Sequence, residues 1–282
     1  MKLQLGLITL ALAAACSVSE DPVPVRATSP QTAATEGSDA GEAGAEDAGG
    51  DDASMPDEPK VLDLADVRDN PTQYTWFDFR PNVKKLILAG AAETEHIAIL
   101  WYTTADGGVG LHYHSKTESV YVIEGTQTDG KGEYPTGTLY FNPPGSGHQI
   151  TDSSGFFLLA YAAPPDFMNT ALIGEYSPVR IDTKASDLGT RYDFTTQAEG
   201  ARSHAVPLPA AGGMAAELIE LDGAGTYSFR GNYVLVLEGT CLVNVMRLGA
   251  QKLVVSGSVA PVPYALAASS SGSCRILGVA FR

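Results

Sequence analysis

From about Val61 onwards the sequence predicts an all-β chain made of two copies of one small domain, and three observations carry that expectation. Short runs rich in Val, Ile, Leu, Phe and Tyr recur: HIAILWY (96–102), SVYVIEG (119–125), GTLYFNP (137–143) and GFFLLAYA (155–162). Clusters of turn-forming residues separate them, such as Ala105-Asp106-Gly107-Gly108, Asp129-Gly130 and Pro144-Gly145; apolar runs bounded in this way read as strands. The third observation is an internal echo. VYVIEGT (120–126) returns as VLVLEGT (234–240), and FFLLAYA (156–162) resembles CRILGVA (274–280), at offsets of 114 and 118 residues. Phrases repeated in order and at nearly one spacing speak for tandem domains. Helical periodicity is weak, with single turns expected near Val61–Val67 and Phe167–Ile173.

In chain order, residues 1–15 come first. They carry one positive charge, Lys2, followed by an apolar run that ends in small residues. That pattern is an export signal, too short to span a bilayer. Cys16 follows Ala13-Ala14-Ala15, which resembles the bacterial lipobox, although the leucine stands at Leu12 rather than in the place of Ala13. The resemblance implies a lipidated Cys16 and a protein exported to the cell envelope, anchored to a bacterial membrane by its acyl chains. The alternative is ordinary cleavage with Cys16 incidental.

Residues 16–60 form an acidic linker. Residues 17–60 hold no aromatic side chain, and their eleven acids and two bases supply nine of the chain's fifteen net negative charges. Such a stretch buries too little apolar surface to offset its chain entropy and is expected to stay disordered. Nothing in it would neutralise phosphates, so nucleic acid is not an expected partner.

The first domain, 61–165, holds the residues that point to chemistry. In a strand, residues two apart share a face, so His112 and His114 project the same way. Glu118 follows after a break at Ser115-Lys116-Thr117, and GTLYFNPPGSGH ends in His148 after a tight turn. Three imidazoles and a carboxylate suit one divalent metal, iron, zinc or manganese, with one or two coordination positions open.

Here the chain resembles the cupin superfamily. The first cupin motif, HxH, three residues, Glu, six residues, Gly, is met by His112, His114, Glu118 and Gly125. The second, Gly, five residues, Pro-x-Gly, two residues, His, is met by Gly137, Pro143, Gly145 and His148. Asp106 and Asp152 depart from the outer positions, where the family has Gly and Asn. The wording GKGEYPTGTLYFNPPGSGHQ is similar to the ChrR-like cupins and to secreted bicupins of unassigned function. The resemblance implies two tandem double-stranded β-helix (jelly-roll) barrels and a metal site. It leaves activity open, since the family holds both a zinc-binding sensory domain and dioxygenases that cleave aromatic hydroxyketones.

After a connection at 166–200, the second domain (201–282) reads differently. Aligning Gly239 with Gly125 puts Thr226, Ser228 and Asn232 in the places of His112, His114 and Glu118. Aligning Gly257 and Pro263 with Gly137 and Pro143 puts Ala268 in the place of His148. This copy is expected to be a degenerate partner without metal ligands. His96 and His204 match neither motif and read as a strand-end and a surface histidine. Tyr102, Tyr121 and Tyr140 read as core, so no catalytic residue is named. The cupin layout sets the third and eighth strands side by side, which implies a disulfide between Cys241 and Cys274 in an oxidising compartment; two free thiols are the alternative.

The functional expectation is a metal-binding cupin that takes a small-molecule substrate or ligand. One form is a dioxygenase acting on diketones or hydroxyketones, and the other a non-catalytic binding or sensory module. The sequence gives no oligomeric state.

Overall fold

The computed structural model describes residues 58–269 and 272–282, and its described part is almost entirely β. The export signal, Cys16 and nearly all of the acidic linker lie outside the described residues. No helix among the described residues is long and apolar enough to cross a membrane.

Two antiparallel sheets curl into barrels. The first has eight strands, in the order Phe77–Arg80, Val83–Gly90, His96–Tyr113, Gly147–Tyr161, Glu118–Asp129, Thr138–Asn142 and Val179–Asp182, with Gly132–Pro135 paired to Glu118–Asp129. The second has ten. Its spine runs Lys60–Asp63, Lys252–Val255, Tyr233–Val243, Ser273–Phe281, Met214–Asp222, Ala201–Ala205 and Thr195–Ala198. Thr226–Gly231, Val262–Ala268 and Met246–Gly249 complete it.

Strand membership differs from simple chain order at two places. Lys60–Asp63, at the expected start of the first domain, pairs with Lys252–Val255 of the second sheet. Val179–Asp182, within the expected connection 166–200, closes the edge of the first sheet against Thr138–Asn142. Each covers backbone groups that an open edge would leave unpaired. The turns expected near 61–67 and 167–173 are the helix Leu64–Asp69, capped by the Asp63 carboxylate accepting from Ala65 N at 3.0 Å, and the 3-10 turn Thr170–Leu172.

Alternation along the strands shows why the apolar runs are continuous. Val120 and Val122 pack inside the first barrel with Leu100, Phe157 and Leu159. Tyr121 and Ile123 face the other way, into a core shared with Leu218, Tyr233 and Leu277 of the second sheet. With both faces buried, no polar position interrupts the run.

The echo has a backbone cause. Register shifts between Val122 and Glu124, and again between Val236 and Glu238, leave one extra residue against the neighbouring strand. This bulge is followed in both sheets by a glycine at positive φ, Gly125 at 86° and Gly239 at 75°. A Cβ on Gly125 would lie 1.9 Å from Ser154 O, and one on Gly239 2.2 Å from Ser273 O. The repeated EGT phrase is the bulge written twice.

Candidate metal centre

The antiparallel pairing of His96–Tyr113 with Gly147–Tyr161 sets His112 directly opposite His148. Glu118 opens the next strand, opposite Tyr161 and Asn142. His114 lies just past its strand end, where its N–H donates to Ser146 O and its carbonyl accepts from Gly145 N, both at 2.8 Å. That loop is a tight turn from Pro143 to Ser146, closed by Ser146 N to Pro143 O at 3.1 Å. Gly145 at φ 85° takes the third position of the turn, which demands a positive φ, and Pro144 presets the second.

His112, His114, Glu118 and His148 are all buried, and one ligand atom from each lies within 4.8 Å of all the others. His114 Nε2 is 3.3 Å from His148 Nε2 and 3.3 Å from Glu118 Oε2; His148 Nε2 is 3.4 Å from the same oxygen.

The far sides of two of the three rings are already committed, while His114 Nδ1 is buried without a hydrogen-bond partner. His148 Nδ1 donates to Asp129 Oδ2 at 2.8 Å, and His112 Nδ1 to Gly110 O at 2.8 Å. Asn142 Nδ2 donates to Glu118 Oε2 at 2.8 Å. These bonds turn Nε2 of both rings inward, as a lone pair on the neutral His112 and as a protonated nitrogen on His148 whose proton a metal would have to displace. Lone pairs and a carboxylate converging on one point repel one another unless something positive stands there. The donor set therefore fits a divalent metal.

Protonation follows the same logic. Burial pushes His112 down to about 3, and the neighbouring His148 and His114 add to the fall. Burial likewise takes His114 down to about 4 against the pull of Glu118. His148 moves the other way. Burial opposes its charge, but the hydrogen bonds and charges of Asp129 and Glu118 outweigh burial and raise it to about 9. Burial alone would raise Glu118 too, yet His114 and His148 hold it well below the usual carboxylate range.

Above the cluster lies a narrow cavity whose lining includes Tyr102, Val109, Gln127, Ile150, Leu159 and Tyr161; its volume is ≈ 10 Å³, room for about one water. Tyr140 OH donates to Gln127 Oε1 at 2.6 Å, and Gln127 Nε2 donates to Tyr102 OH at 3.3 Å. Tyr102 and Tyr140 thus stand inside the barrel, whereas Tyr121 faces the second sheet. A roomier surface cleft of ≈ 370 Å³ runs along Thr226, Tyr227, Leu242 and Leu266, away from these residues.

Asp129, Asn142 and the Gly110 carbonyl orient the cluster, and spacing in the sequence did not reveal them. The signal available for Asp129 was its Asp-Gly turn. Its Oδ1 does serve that turn, accepting from Lys131 N at 2.7 Å, while Oδ2 holds His148. Asp152, in the family's Asn position, sits at φ 47°, a conformation Asp and Asn both tolerate.

In the second sheet the motif alignment is out of register. Gly231 runs directly into Asn232, where the first domain has four residues between Tyr113 and Glu118. Pairing sets Arg230 opposite Pro263, the places of His112 and His148, so Thr226 and Ala268 are not the equivalents. Gln251, at φ 64° before Lys252–Val255, takes the place of Gly137, not Gly257. Asn232 does occupy the place of Glu118, and its side chain bonds to Val259 O and Phe281 N. Cys241 and Cys274 form a disulfide with Cα atoms 5.7 Å apart. His204 is half-buried beside Tyr192, and His96 is wholly buried.

Residues 65–163 match the family model described as the ChrR Cupin-like domain. The match covers about a third of the chain, and the likeness to that family is a likeness over those residues. Among solved structures, the fold described here is similar to a variant of salicylate 1,2-dioxygenase from Pseudoaminobacter salicylatoxidans (15% identity, 79% of this chain, 84% of that chain, TM-score 0.51). The same enzyme with gentisate adducts matches at 14% identity over 79% of this chain and 81% of that chain (TM-score 0.50). A cupin 2 conserved barrel domain protein from Leptotrichia buccalis matches at 10% identity, 79% of this chain and 96% of that chain (TM-score 0.49). At these identities the likeness to the two salicylate 1,2-dioxygenase structures speaks for the fold alone. No curated protein matches the chain.

Proposed function

We propose that His112, His114, Glu118 and His148 hold one divalent metal, iron, zinc or manganese, and that the first barrel acts on a small oxygenated organic molecule. The observation that carries this is the convergence of three imidazole nitrogens and a carboxylate, with His112 and His148 oriented from behind by Gly110 and Asp129 and Glu118 held by Asn142. A metal so bound would supply Lewis acidity and, if iron, redox chemistry with dioxygen. The protein's part is to exclude water with Val109, Ile150 and Leu159 and to offer Gln127 and the Tyr102 hydroxyl as polar contacts. The reaction class that fits is a dioxygenase acting on a diketone or hydroxyketone.

A second reading, a non-catalytic binding or sensory module, is carried by the same cluster, whose four protein ligands are enough to close a zinc shell. Metal analysis of protein purified without added metal, followed by oxygen uptake with diketones and hydroxyketones, separates the two. Iron with substrate-dependent oxygen consumption supports the dioxygenase. Bound zinc, with ligand binding and no turnover, supports the sensor and overturns the enzyme reading.

For location, the pattern around Cys16 supports export to the cell envelope and a lipid anchor. The Cys241–Cys274 disulfide is consistent with an oxidising compartment. Radiolabelled palmitate incorporated into wild type and absent from Cys16→Ser checks the anchor; equal labelling of both would refute it.

A further inference from the structure

Val83–Gly90 carries two adjacent lysines that meet opposite fates. Lys84 faces out and pairs with Asp78 at 2.8 Å. Lys85 faces in with Val83 and is 1% exposed. Its ammonium donates to His96 Nε2 at 2.6 Å, while His96 Nδ1 donates to Thr94 O at 2.7 Å. The rings of Phe79 and Tyr161 lie 4.7 Å from the same nitrogen. Among the described residues no carboxylate forms an ion pair with it. A buried cation with no carboxylate in contact is costly, and an apolar side chain of similar volume would serve the fold better.

The surroundings say what such a charge is for. Tyr161 and Phe79 both line the cavity above the metal cluster. The Tyr161 hydroxyl reaches Glu118, and the charge of Glu118 bears on Lys85. Burial pushes the ammonium down to about 8, Glu118 and Glu93 oppose that and Arg80 adds to it, so the charged form still prevails at neutral pH. His96, driven by burial to about 4, is a neutral acceptor. Arg80 adds a second cation over the ring of the cavity-lining Phe79 at 4.7 Å and that of Phe167 at 4.1 Å, again without an ion pair among the described residues. Once a divalent ion sits on the cluster, the carboxylates of Glu118 and Asp129 are outnumbered by the ion, Lys85 and Arg80. In a dry interior that surplus acts over several ångströms.

We propose that Lys85, held in place by His96, makes the barrel select ligands that reach the metal as anions, such as a carboxylate or an enolate, over neutral ones. This rests on the metal reading above and narrows its substrate class: a diketone would bind in its deprotonated enolate form. Lys85 is a positioning charge, since Phe79 and Tyr161 stand between it and the cavity.

The test uses the protein loaded with Co(II), titrated with azide and followed by the visible spectrum. Wild type should bind azide, and Lys85→Met should weaken azide by about tenfold or more, with Lys85→Arg restoring much of it. Co(II) itself should bind Lys85→Met as tightly as wild type or more tightly, because a repelling charge has gone. A merely structural role would weaken both, and that outcome overturns the proposal. So does azide affinity within about twofold of wild type, or wild type that takes up Co(II) and ignores azide. Wild type that fails to take up one Co(II) refutes the metal reading instead. If Lys85→Met does not fold, Lys85→Gln serves the same comparison.

Discussion

His148 keeps its proton up to about 9 because Asp129 and Glu118 flank it, so at neutral pH a metal ion must displace a proton from the point it is to occupy. His112 and His114 are already neutral there, burial having lowered them to about 3 and about 4. Metal uptake near pH 7 should therefore release about one proton per ion, and affinity should rise roughly tenfold per pH unit until the pH approaches 9. Calorimetry in buffers of different ionisation heat reads this directly; uptake with no proton release would contradict it. Asp129 also fixes the ring. Asp129→Asn should cost about 10–100-fold in metal affinity and reduce the proton release at pH 7, whereas unchanged affinity would remove Asp129 from the account.

At the scale of elements, the bulge after Val122 and its echo after Val236 set where each central strand turns its carboxyl half. Gly125→Ala combines a positive φ with a Cβ 1.9 Å from Ser154 O, so it should destabilise by at least about 1–3 kcal/mol. A urea midpoint matching wild type would refute that cost. The Cys241–Cys274 bridge closes a separation of 33 residues, for which chain entropy gives roughly 3–4 kcal/mol. Cys274→Ser should lower the melting temperature accordingly, and an unchanged value would show the bridge to be idle. These elements were legible because the chain repeats its constraint: a bulge needs glycine, and strands buried on both faces stay apolar. The metal cluster was legible for a similar reason, its residue types and spacing being chemically restrictive. The register of the second copy was not, because spacing counts residues and the link at Gly231–Asn232 lacks the four that separate Tyr113 from Glu118. Asp129 stayed hidden because a turn aspartate and one that orients an imidazole look alike. Lys85 was hidden less deeply. With Lys84 beside it in a strand, alternation already required one of the two to face inward.

For the whole molecule, the two sheets share one core. Tyr121, Leu158 and Ala160 of the first pack in one cluster with Leu218, Tyr233 and Leu277 of the second. Thr117 N donates to Gly212 O at 2.9 Å, and Arg68 meets Glu124 at 3.2 Å, carrying the helix after the second sheet's edge strand back onto the first sheet. Parts so joined should unfold together, so the chain from residue 58 should show one transition by fluorescence and by circular dichroism. Two separated transitions would contradict a shared core. That shared support leaves the first barrel's interior free to hold a cluster of buried polar groups whose donor set fits a divalent cation. The measurement that bears most directly on this is the metal content of purified wild type beside His114→Ala, each confirmed folded by circular dichroism. The account predicts one tightly held divalent metal per chain in wild type and none in the variant. Equal metal content in the two proteins, or a folded wild type that takes up no divalent ion when one is supplied, would contradict it.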